Sequence, residues 1–169
     1  MSEPHSPLPT ALVMPANVRG GQVISLVEIT GGIGGKVDAS KLADELGADI
    51  AVLLPILEAA EMLGLVKSEK GGVYLTDLGL KFQKKERNKL TMLKDKISMI
   101  EPFKTALQLA AKGRPFTAGD VAEELTQIGL KWHYQPDINE QLINTLLIHW
   151  AIYAGLLKYD GKSMKFQRA

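Results

Sequence analysis

Residues 49–75 read DIAVLLPILEAAEMLGLVKSEKGGVYL, and the change of period inside this stretch decides the fold. Val52, Leu53, Ile56, Leu57, Ala60 and Leu63 recur at helical spacing, and Gly64 supplies the stop. Pro55 falls in the early part of this helix, where a first-turn proline costs least. Leu65-Val66-Lys67-Ser68, the pair Gly71-Gly72 and Val73-Tyr74-Leu75 then read as a hairpin.

Upstream, two shorter helical patterns lead into this stretch. Val23, Ile24, Val27 and Ile29 form an apolar face that begins after Gly20-Gly21 and ends in the run Gly31-Gly32-Ile33-Gly34-Gly35. Asp38 to Lys41 can cap a second helix carrying Leu42, Ala43 and Leu46, closed by Gly47. Three short helices followed by a hairpin make a winged-helix unit. Before it, Pro4, Pro7, Pro9 and Pro15 remove backbone donors, so residues 1–18 are expected to form an extended or disordered arm.

Downstream the order recurs. Leu78, Phe82, Leu90, Leu93, Ile97 and Ile100 keep helical spacing and predict one long bridging helix. A helix then runs from Pro102 to Gly113, a second is capped at Thr117 to Asp120 and ends at Gly129, and a third runs from about Asn139 to Tyr153. The last strands flank Asp160-Gly161, a strong two-residue turn signal. The expected fold is α+β, mainly helical with small hairpins: tandem winged-helix units over 19–80 and 101–169, joined by a basic linker helix over 81–100.

Composition excludes several chemistries. The chain has 169 residues, of which 46% are hydrophobic and 23% charged, enough to bury a core. With no cysteine, disulfides, thiol nucleophiles and cysteine-ligated metals are excluded. The start lacks a basic region followed by an apolar one, and no apolar run reaches membrane-spanning length. A cytoplasmic protein without membrane insertion is expected.

The glycine run fails as a phosphate loop, because Thr30 stands at the first glycine position and Val37 at the hydroxyl position. His5, His133 and His149 show no metal-ligand spacing, and His149, beside Trp150 on an apolar helix, is expected to be packed. Glu58 and Glu61 lack a partner for acid/base work and are expected to solvate the outer face of the third helix. No enzyme activity and no cofactor are expected.

Charge decides between partners. A winged helix usually sets its third helix in the major groove, yet residues 49–64 and 139–157 contain no lysine or arginine to neutralise phosphate. The formal net charge is only +1. Positive charge gathers instead at Lys81, Lys84, Lys85, Arg87, Lys89, Lys94 and Lys96, opposed within that segment by Glu86 and Asp95. Trp132, His133 and Tyr134 form an aromatic cluster in a loop, able to anchor a partner, stack a base or fold back over the second core. These two groups are the candidate contacts. A protein partner is the leading expectation and nucleic acid the alternative, with a homodimer also open.

Leu53-Leu54-Pro55, Glu58 through Gly64, and Leu75-Thr-Asp-Leu-Gly-Leu-Lys-Phe82 together resemble the AAA-associated C-terminal domain, as does Trp150 through Asp160. The resemblance runs roughly from Pro9 to Gln167 and departs from the family pattern at Ile152 and Gly155, where arginine and glutamate are usual. That family follows the ATP-binding cassette in some importers of the nitrate/sulfonate/bicarbonate type and also occurs as separate small archaeal proteins. The resemblance implies an accessory or regulatory module with no catalytic residues to carry over. With no Walker A and no Leu-Ser-Gly-Gly-Gln signature, it would serve an ATPase in trans.

Overall fold

The computed structural model describes residues 12–169. Seven of the first elements build the N-terminal half: β1 (Leu12–Val13), α1 (Gly20–Gly32), β2 (Lys36–Asp38), α2 (Ala39–Leu46), α3 (Ile50–Met62), β3 (Val66–Glu69) and β4 (Gly72–Leu75). The helix stops fall where the glycines predict. Gly47 and Gly64 take left-handed conformations, and Ala48 and Leu65 donate back to the carbonyls of Ala43 and Ala60 at 3.0 Å each. Pro55, the sixth residue of α3, lies beyond the first turn, so α3 tolerates a proline inside it and lacks one intrahelical bond there.

The hairpin β3–β4 is antiparallel, with Ser68 opposite Val73, and β2 adds a third strand on the free edge of β4. Strand β2 has no sequence signal of its own; its three residues extend because β4 offers unpaired backbone groups.

After Leu75 the expected long helix breaks up. Helix α4 (Asp77–Lys84) ends at Lys85, whose backbone is extended; Asn88 takes a left-handed conformation, a 3-10 turn covers Lys89–Leu93, and α5 (Lys94–Ile97) is one turn. Lys89 explains the break. Its ammonium donates to the carbonyls of Phe82 and Gln83, both at 2.8 Å, and pairs with Glu28 at 3.5 Å. A cation from downstream thus satisfies the open end of α4, which a continuous helix would not leave open. Leu90, Leu93 and Ile97 still reach the core, so the apolar spacing persists without the helix.

The C-terminal half comprises β5 (Ile100–Glu101), α6 (Phe103–Ala110), α7 (Ala118–Gln127), α8 (Pro136–Leu146) continued by a π-helical segment Leu147–Ile152, β6 (Leu157–Asp160) and β7 (Lys165–Arg168). Thr117 and Asp120 form a reciprocal cap on α7, with bonds of 3.1 and 2.9 Å. Helix α8 starts three residues before the predicted Asn139 because Pro136 occupies its first position. The β6–β7 loop is four residues long rather than two. Asp160 pairs with Lys165, its carboxylate accepts from the Lys162 amide and the Ser163 hydroxyl, and Met164 rather than Gly161 takes the left-handed position. These loop bonds also hold the exposed Asp160 carboxyl below its ordinary range.

One buried cluster runs through both halves. The expected arm over 1–18 divides: residues 1–11 fall outside the described chain, and the remainder is strapped to the C-terminal half. Strand β1 pairs in parallel with β5; the Trp132 and Trp150 indoles donate to the carbonyls of Met14 and Val18 at 2.7 and 2.9 Å. Met14 and Val18 are buried.

Candidate functional site

The outward face of α3 carries Ile50 and Leu54, about half exposed, and then Glu58 and Glu61 one and two turns on. Leu53, Ile56, Leu57 and Ala60 point inward, so this exposure is what remains after the core stripe is buried. Between α3 and the β3–β4 turn, Leu54, Leu57, Met62 and Val73 line a groove of about 570 Å³ with Glu58, Glu61 and Ser68 at its edge. The Ser68 hydroxyl donates to Glu61 Oε1 at 2.9 Å and fixes that carboxylate against the hairpin. The surface is therefore apolar with an acidic border, poor for a phosphate backbone and suited to an apolar side chain flanked by a base.

The basic segment does not form a continuous stripe. Lys81 and Lys84 lie exposed on α4, with Lys85 and Arg87 in the loop after it. Lys89 is turned inward, its side chain 11% exposed and fully engaged. Lys94 and Lys96, two residues apart on one helical turn, diverge: Lys94 lies by Gly155 of the C-terminal half and Lys96 by Gly64 of the N-terminal half. The segment groups Lys81, Lys84, Lys85 and Arg87 in sequence but scatters the rest.

The aromatic loop also divides. Trp132 folds back onto the core and clasps Met14. His133 accepts the Gln135 amide on Nδ1 at 3.1 Å. Tyr134 stacks on His133 at 4.6 Å between centroids and is 79% exposed. Asn139, buried at the start of α8, holds the loop by accepting the amides of Trp132 and His133 at 2.7 and 3.3 Å. An asparagine in a predicted helix gives no hint of this role.

A further concavity, unforeseen from the sequence, lies between the halves. The cleft measures about 900 Å³ and is walled by α1, α3, the Glu86–Leu90 connection and the π-helical segment. His149, expected to be packed, is partly exposed along it. Partial burial, and then the charge of Arg19, lower its proton affinity below the ordinary histidine value. The wider π-helical turn sets His149 and Tyr153 on the cleft side while Trp150 stays in the core.

Among the described residues, no group of three or more histidines and carboxylates gathers to hold a metal, and no helix is long and apolar enough to cross a membrane. Neither a curated protein nor a solved structure matches the chain significantly. A family model does: the C-terminal AAA-associated domain, over residues 40–160, from the first turn of α2 to the end of β6.

Proposed function

Since the chain belongs to the C-terminal AAA-associated domain family, we propose that it is a non-enzymatic cytoplasmic accessory module that docks in trans on an ATPase subunit of the ATP-binding-cassette type. The repeated order of helix, short strand, two helices and hairpin supports a tandem winged-helix reading, with Phe116 opposite Phe166 standing for the short strand in the second unit. The observation that carries a protein partner is the exposed face of α3. Ile50 and Leu54 stand where a nucleic-acid reader would place cations, and Glu58 and Glu61 follow.

Cross-linking in the native cell, followed by titration of the purified chain with the recovered partner, tests this reading. The expected partner is a cassette ATPase, with cross-links near α3 and an affinity reduced about tenfold or more by Leu54→Asp. The nucleic-acid alternative gives a different result. If Lys81, Lys84, Lys85 and Arg87 each neutralise one phosphate, affinity for a duplex falls about a hundredfold between 50 and 200 mM salt, and charge reversal at Lys84, Lys85 and Arg87 abolishes it. Such salt-steep binding, with no ATPase recovered, would replace the docking reading.

A further inference from the structure

We propose that the cleft between the halves binds a small amphipathic anion, an apolar body bearing one carboxylate or sulfonate, with Arg19 as its charge partner. This inference goes beyond the docking reading and does not depend on it, because the α3 groove and the cleft are different surfaces. At about 900 Å³ the cleft is within the size range of small-molecule sites. Its walls are mainly apolar: Ile24, Leu46, Val52 and Ile56 come from the N-terminal half. Val52 is 50% exposed and Tyr153 63%, so two large side chains are left uncovered in a concave place, where an occupant can shield both. Gly21 leaves the wall open, since a Cβ built there meets nothing within 4 Å.

Charge sets the class of the ligand. Lys89 lines the cleft but is neutralised by Glu28 and spent on two carbonyls. Arg19 forms no ion pair among the described residues. Glu86 is the carboxylate on the lining, and it belongs to the connection after α4. The charge of Arg19 acts on His149, so these two side chains share one end of the cleft. A guanidinium that forms no ion pair among the described residues, beside a partly exposed imidazole in a mainly apolar cleft, favours an anionic head with an apolar tail.

The probe is anilinonaphthalene sulfonate titrated into the full chain, followed by fluorescence and by amide chemical-shift mapping. Expected are saturable one-to-one binding, shifts centred on Arg19–Ser25 and His149–Tyr153, and displacement by decanoate but not by decylammonium. Arg19→Gln is expected to weaken binding about tenfold, Val52→Glu to abolish it, and Ile128→Ser, an exposed apolar position outside the cleft, to leave it unchanged. Shifts confined to other surfaces would overturn the site, as would unaltered binding in folded Arg19→Gln and Val52→Glu. Equal displacement by decylammonium would overturn the anionic assignment. The mapping uses the unmodified chain, so the site remains testable even if a variant fails to fold.

Discussion

Replacing Trp150 by phenylalanine separates the strap from the rest of the fold. Trp150 is fully buried and its indole N–H donates to the Val18 carbonyl at 2.9 Å, with Val18 itself only 3% exposed. Phenylalanine keeps one aromatic ring in the core but removes the donor, leaving a buried acceptor unpaired at a cost of about 1–3 kcal/mol. The smaller ring also leaves a void of roughly 40 Å³, worth about 1 kcal/mol if the site does not collapse. Trp150→Phe is therefore expected to destabilise by about 2–4 kcal/mol. Trp132→Phe removes the same chemistry at Met14, but Trp132 is only half-buried and water can replace its donor, so about 0.5–1.5 kcal/mol is expected. Urea unfolding of both variants at neutral pH measures the two costs. Exchange of the Met14 amide, which bonds to the Glu101 carbonyl at 2.9 Å, reports whether the strap opens alone. Equal costs for the two substitutions, or a cost below about 0.5 kcal/mol for Trp150→Phe, would refute the assignment of this difference to burial.

Three further outcomes follow from named contacts. Lys89→Met leaves the Gln83 carbonyl without a donor, the Phe82 carbonyl with only the Lys85 amide at 3.3 Å, and Glu28 without its partner, and is expected to lower the urea-unfolding free energy by about 1–3 kcal/mol. Gly79→Ala forces a Cβ to within 2.1 Å of the Leu65 carbonyl oxygen, so a loss of about 3 kcal/mol or more, or failure to fold, is expected from circular dichroism and urea titration, since neither backbone can yield. His149 binds its proton less tightly in the folded chain than in the unfolded one, through burial and then Arg19. Its contribution to stability is complete above the ordinary value of 6.5 and is lost as pH falls below it. Urea midpoints at pH 7.5 and 5.5 should therefore converge in His149→Gln relative to the parent, and an unchanged pH difference would contradict the shift.

The sequence determines the elements whose signals are local. In residues 49–75 one apolar stripe, the glycine stop at Gly64 and the Gly71-Gly72 turn specify α3 and its hairpin, because each signal acts within a turn or two of the chain. The reciprocal cap of Thr117 and Asp120 was legible for the same reason. The segment 81–100 shows where that reasoning stops. Its apolar spacing is real and Leu90, Leu93 and Ile97 are buried, but no glycine or proline marks the break that Lys89 stabilises by reaching back to α4. The candidate contacts divided in the same way: type and charge were legible, whereas the inward turn of Lys89, the divergence of Lys94 and Lys96, and the exposure of Tyr134 depend on neighbours. The Val18 and Met14 carbonyls meet indoles 132 and 118 residues away, and the cleft is lined by the start of α1 and the π-helical segment, which the Val18–Trp150 bond holds together. Periodicity and capping act over a few residues and are written in sequence; strap, break and cleft arise from contacts between distant segments, which no local pattern encodes.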